Sequence, residues 1–233
     1  MSVLIVVAHP DDEVLGAGGV ASMLAEEGVP VRSCILSGEA DARRNRPELP
    51  ELVADTLAAQ RILGLPDPIM GSFPNIRFNT VPHLELVQFV EGAIAETAAT
   101  VILTHHPHDL NNDHLHTSTA CQAAARLFQR RAGVPPLRAL YYMEVLSSTD
   151  WAMPGRGEFR PDTFFPLEER HLERKLAALA SYRGVMREPP HPRSHEVLHG
   201  HASYRGGQAG SRWAEAFQTA FRRMDAGDLR SRG

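Results

Sequence analysis

Cysteine is scarce in this chain. The two it has, Cys34 and Cys121, each lie in an apolar segment with no CxxC nearby. That excludes a disulfide framework and reads as two buried free thiols in a reducing compartment, the cytoplasm. An excess of one charge is missing too. A net charge of −4 over 233 residues gives no electrostatic reason to expect nucleic acid or an anionic membrane as partner. No apolar run approaches the ~20 residues that a membrane-spanning helix needs. The first residues show neither a basic region nor a small-residue cleavage site, so they read as a strand rather than a signal peptide. Repeats and low-complexity linkers are absent, which points to one domain over residues 1–233. Histidine, with twelve copies, is the surplus.

What is present alternates between two periodicities. Residues 3–7, VLIVV, form a continuous apolar run, as a strand covered on both faces would. Helical spacing follows over 13–27, closed by Gly28. Further strands are expected in VPVRSCILS, PIMGSF, TVILTHH and LRALYYMEVL, with helices over 51–63, 82–98 and 113–130 between them. This βαβα order predicts an α/β fold, a mainly parallel sheet with helices on both faces. The pattern loosens after Leu146. Residues 147–233 read as a C-terminal extension, folded over the core of residues 1–146 and covering the site. It carries a short strand at 162–166, a helix over 168–182, a stretch rich in proline, glycine and histidine, and a last helix over 213–224.

Two clusters carry the chemistry. The first strand runs into AHPDDE, which places His9 past its end, Asp11 and Asp12 in the turn, and Glu13 at the helix start. Capping accounts for one or two of these acids, since an acid at a helix start meets orphan N–H groups. It does not account for a histidine three residues before Asp12; imidazole and carboxylate together suit a borderline metal such as zinc. The fourth strand ends in THHPHDLNNDHLHT, again histidines and acids beside a helix start. In a parallel sheet both clusters lie at the carboxyl edge, where ligands bind. His114, on the first turn of its helix, is the third ligand in this reading, leaving an open coordination position for water. GAGGVA, residues 16–21, matches a dinucleotide-binding fingerprint, but HPDDE occupies the turn and the glycines fall inside the helix. Close helix packing is the reading for them.

AHPDDE with the downstream DH at a helix start resembles the PIG-L or LmbE-like zinc deacetylases, which remove N-acetyl groups from glucosamine-type sugars. PHPRSHE, RGGQAG and AEAF extend the likeness more weakly toward the C-terminus. The resemblance implies a Rossmann-like three-layer sandwich. It implies His9, Asp12 and His114 as zinc ligands and Asp11 as general base. Some members carry H-P-D-H at the second motif, the first histidine stabilising the oxyanion; here Asn111 stands in that place, able to donate a neutral hydrogen bond but not to act as an acid. Asp113 is read as support behind a ligand. Glu39 and Arg44, in SGEADARR, are candidate contacts to sugar hydroxyls or an attached phosphate, against the alternative of a solvated turn. His191 and Arg193 are read as a lid over the sugar. One of His105 and His106 should be buried and bonded to backbone, the other near the rim, with His108 and His116 on the surface.

The function expected is therefore metal-dependent removal of an acetyl group from an acetamido sugar or its conjugate. Zinc is the expected ion, with other divalent transition metals open, and a homo-oligomer is permitted. A metal-dependent phosphoesterase and a non-catalytic nucleotide-binding module are the alternatives. The first usually needs ligands for two metals; the second would bind nucleotide in the presence of chelator.

Overall fold

The computed structural model describes residues 1–39, 48–153 and 157–226. Strands β1 (Val3–Val7), β2 (Val31–Ile35), β3 (Ile69–Met70), β4 (Val101–His105) and β5 (Ala139–Met143) run parallel, with β6 (Thr163–Leu167) and β7 (Trp213–Arg222) antiparallel at one side. The order across the sheet is β3-β2-β1-β4-β5-β7-β6. The helices are α1 (Asp12–Glu26), α2 (Leu49–Leu63), α3 (His83–Thr97), α4 (Asn112–Ala124), α5 (Glu169–Ser181) and α6 (His195–Ala209). Side chains along β1 alternate between faces: Val3, Ile5 and Val7 belong to the core shared with α1, α2, α5 and α6, whereas Leu4 and Val6 belong to the core shared with α3 and α4. The result is a three-layer α/β sandwich with a Rossmann-like sheet.

The glycines of GAGGVA pack as expected. A Cβ on Gly16 would fall 2.4 Å from Met143 Sδ, and one on Gly19 would fall 2.5 Å from Leu167 Cδ1. An ion pair fills the space that remains. Lys175 of α5 reaches Glu215 of β7 at 2.6 Å and donates to the Leu15 carbonyl at 2.8 Å; Glu215 accepts the Gly19 and Val20 N–H groups at 3.0 and 2.7 Å. The pair thus joins α5 and β7 to the backbone of α1 at Leu15, Gly19 and Val20.

The structure corrects the C-terminal expectations. Residues 213–222 form β7, not a helix, pairing with β5 on one side and β6 on the other. Trp213 and Phe217 are four apart, a spacing that keeps to one face in either conformation, so the pattern could not choose between them. The proline-, glycine- and histidine-rich stretch contains α6, begun by Ser194, whose Oγ accepts the Val197 N–H at 3.2 Å, and ended by Gly210 at φ 70°. Gly206 is required there, because a Cβ would stand 2.6 Å from the backbone of Arg212. Helix α4 is shorter than expected, ending at Ala124, and PIMGSF supplies a two-residue strand.

Removing Glu215 would strand a buried ammonium and two helix N–H groups. Glu215→Ala should lower stability by about 3–5 kcal/mol in urea unfolding, the range for breaking a buried pair; a loss under about 1 kcal/mol would show that the pair is dispensable.

Candidate metal centre

The carboxyl ends of β1 and β4 deliver the two histidine clusters to one place. His9 Nδ1, Asp12 and His114 Nε2 are the heart of it: the three side chains offer ligand atoms within 4.8 Å of one another. Asp12 Oδ2 lies 3.2 Å from His9 Nδ1 and 3.1 Å from His114 Nε2, and it also accepts the His9 backbone N–H at 3.0 Å. His114 Nε2 is buried without a hydrogen-bond partner, although Asp12 faces it. A buried, orphaned ring nitrogen aimed at a carboxylate and beside a second imidazole is what a divalent ion would complete.

Each ring is backed by a carboxylate. His9 Nε2 meets Asp113 Oδ2 at 3.0 Å, and His114 Nδ1 meets Asp109 Oδ1 at 3.2 Å. With an ion bound, these contacts would keep the ring protons on the far nitrogens and turn the lone pairs of His9 Nδ1 and His114 Nε2 toward the centre. Asp113 is itself clasped by the Ile76 N–H at 2.6 Å and the Phe78 N–H at 2.9 Å. Ile76 makes its bond from φ 59°, a left-handed conformation costly for a β-branched residue. Asp109 accepts Thr149 Oγ1 at 2.7 Å and the Ser148 hydroxyl.

The electrostatics follow. Burial opposes charge on His114, but Asp12 and Asp109 on either side raise its pKa to about 10. Burial likewise opposes charge on His9, and its bonds to Asp113 and Asp12 outweigh it, so its pKa is raised. Asp12 stays ionised well below the carboxylate range despite burial, held by the charge of His114 and the neighbouring imidazoles. The centre is a niche for positive charge. His105 stacks on His114 with ring centroids 3.7 Å apart and, with Asp109 and His114, forms a second His/Asp group. Its Nε2 is occupied by the Ala8 N–H at 2.9 Å, so Nδ1 carries the proton, and burial drives its pKa down to about 3. It is a neutral wall.

Asp11 decides between capping and chemistry. It is the N-cap of α1, at φ 98°, yet its side chain makes no cap bond. Instead Oδ2 lies 3.2 Å from Arg193 Nη1, and Arg193 Nε donates to Ser147 Oγ at 2.8 Å. The centre opens into a cleft of about 320 Å³ lined by His9, Asp11, Asp12, Glu39, Asn75, Ile76, Leu110, Asn111, His114, Ser147, Ser148 and Arg193. Asn111 caps α4, its Oδ1 accepting the Asp113 N–H at 2.9 Å. Glu39 Oε2 is 3.4 Å from the Asn75 N–H. His191 is exposed and is not among the lining residues; its Nδ1 accepts the Arg193 N–H at 3.0 Å. Arg44 lies outside the described residues. His106 is buried against Tyr142 rather than near the rim, while His108 is exposed and His116 half-buried. Sequence reasoning missed Asp109, Asn75, Ile76 and Ser148. Of these only Asp109, in the acid-rich DLNND run, carried a signal.

The span that carries both clusters matches a known family. The family model for PIG-L, GlcNAc-PI de-N-acetylase, matches residues 4–125, more than half of the chain. The chain belongs to the PIG-L family. No protein of curated function matches it. Among solved structures it is similar to a conserved protein of Thermus thermophilus, at 23% identity and TM-score 0.76 over 99% of this chain and 100% of that one. It is similar to GalB, the 4-carboxy-2-hydroxymuconate hydratase of Pseudomonas putida, at 23% identity and TM-score 0.76 over 97% and 98%. It also resembles the N,N'-diacetylchitobiose deacetylase of Pyrococcus horikoshii, at 16% identity and TM-score 0.72 over 94% and 83%. At these identities the likeness to solved structures establishes the shared fold.

An ion at this candidate centre would make a specific demand on the carboxylates behind the two histidines. Asp113→Asn and Asp109→Asn should each weaken zinc binding about 10- to 100-fold in chelator competition. Unchanged affinity in both would show that the rings are oriented by packing alone.

Proposed function

We propose that this protein is a metal-dependent N-deacetylase that hydrolyses the acetamido group of a GlcNAc-type sugar or its conjugate. The observation that carries the reading is the convergence of His9, Asp12 and His114 beside an acid, Asp11, that is not spent on capping its helix. The fold is shared with a hydratase, so fold does not choose the reaction; membership of a de-N-acetylase family favours amide hydrolysis.

An amide is a poor electrophile and water at neutral pH a poor nucleophile. Zinc held by His9, Asp12 and His114 would supply Lewis acidity, lowering the pKa of water from about 15.7 toward about 7 and polarising the carbonyl. Asp11 then takes the proton as the water oxygen bonds to the acyl carbon. It returns that proton to the nitrogen as the C–N bond breaks, releasing acetate and a free amine. Arg193 fixes the Asp11 carboxylate from the side of the cleft formed by the C-terminal extension. Asn111, with its carbonyl oxygen accepting the Asp113 N–H, has its amide N–H groups to offer a substrate, which suits an oxyanion. Glu39 offers an acceptor and Arg193 a donor for sugar hydroxyls. Zinc as the resident ion, cytoplasmic residence and a small-molecule sugar as partner complete the proposal.

The test is mass spectrometry of amine and acetate release from N-acetylglucosamine, its 1-O-alkyl glycosides and N,N'-diacetylchitobiose. Zinc-loaded protein should turn over at least one of them, chelation should abolish turnover, and Asp11→Asn should reduce kcat by about 10²–10⁴-fold. Turnover by Asp11→Asn within a few-fold of wild type would reject the assignment of the base.

A further inference from the structure

The acid that follows the metal ligand in HPDDE is also built into the centre. Glu13 is completely buried in the first turn of α1. Its Oε2 accepts the backbone N–H of Asp11 at 3.0 Å. Its Oε1 accepts the Tyr182 hydroxyl at 2.6 Å and the Gln60 Nε2 at 3.0 Å. Gln60 is held in turn by the Ser33 hydroxyl at 2.9 Å. One carboxyl group thus gathers a donor from α2, a donor from the residue ending α5, and the peptide group of Asp11.

A helix cap is the simpler explanation, since an acid in the first turn commonly bonds back to the N-cap amide. Three features go beyond it. Glu13 has no exposure, and Tyr182 is buried beside it. A cap has no need of the two further donors that brace the carboxylate from other helices. The peptide it holds belongs to a residue at φ 98°, a conformation that side-chain-bearing residues adopt only when their surroundings impose it. Relaxing that angle would swing the Asp11 side chain, because Cβ direction follows the backbone.

Building on the reading of Asp11 as proton carrier, we infer that Glu13, braced by Tyr182 and Gln60, is a positioning residue. It holds the Asp11 backbone in its strained turn and so aims the Asp11 carboxylate into the cleft. The extension after Leu146 thereby reaches Asp11 twice, at its carboxylate through Arg193 and at its amide through Tyr182 and Glu13.

Glu13→Gln leaves one acceptor oxygen where three donors converge; Tyr182→Phe removes a single hydroxyl and keeps the ring. Both are measured as zinc-loaded full-length proteins with N,N'-diacetylchitobiose and N-acetylglucosamine as probes, alongside hydrogen exchange of the peptide over residues 9–13. Glu13→Gln should lower kcat about 10- to 100-fold, as misplaced catalytic groups do, with KM within threefold. Zinc should stay at about one per chain, and the Asp11 amide should exchange faster. Tyr182→Phe should shift kcat and exchange the same way by a smaller factor. Wild-type kcat in an active enzyme, unchanged exchange, or joint loss of zinc and activity would overturn the inference; the last would make Glu13 a prop for the whole turn. A wild type inactive on these and on the 1-O-alkyl glycosides would instead reject the deacetylase reading and leave the strut to be judged by exchange.

Discussion

The centre turns on one buried anion. Asp12 is held ionised among His9, His114 and, at 3.6 Å, His105, with its charge inside the protein rather than in water. A carboxylate so placed is tolerable only with positive charge close by. The chain meets that need with imidazoles whose outer nitrogens are committed to Asp113 and Asp109, so that positive charge, on the rings or on an ion between them, is favoured at the centre. Much of the surrounding architecture serves this arrangement, including a loop that keeps Ile76 at a strained angle to bring its N–H onto Asp113.

The sheet makes the arrangement possible. β1 and β4 are neighbours in register, Val3 beside Val101 and Val6 beside Thr104, so chain ends far apart in sequence emerge side by side. Helices α1 and α4 start at those ends, and their first turns carry Asp12 and His114. The C-terminal extension adds β7 and β6 to the same sheet and supplies the cleft with Ser147, Ser148 and Arg193. Its packing on α1 depends on glycines that permit Lys175 and Glu215 to approach.

The sequence was most legible where chemistry is sparse elsewhere. Histidines and acids crowding two strand ends have few structural uses, so His9, Asp12 and His114 could be read as a group and Asp113 as support. The parallel core was legible because apolar runs and helical periods alternate without ambiguity. The C-terminus was not. A four-residue spacing of Trp213 and Phe217 fits strand and helix alike, and the glycines and histidines of α6 hide a helix whose reason is close packing against β7. Asn75 and Ile76 were invisible for another cause. Their part is played by backbone geometry and position, which no residue type announces. Glu13 looked like a cap until its buried partners appeared.

The most direct test of the metal centre is anomalous diffraction at the zinc edge from crystals of the zinc-loaded protein. The expected result is one strong peak per chain, coordinated by His9 Nδ1, an Asp12 carboxylate oxygen and His114 Nε2 and open toward the cleft. A peak ligated instead by His105, or no peak between His9 and His114, would contradict it.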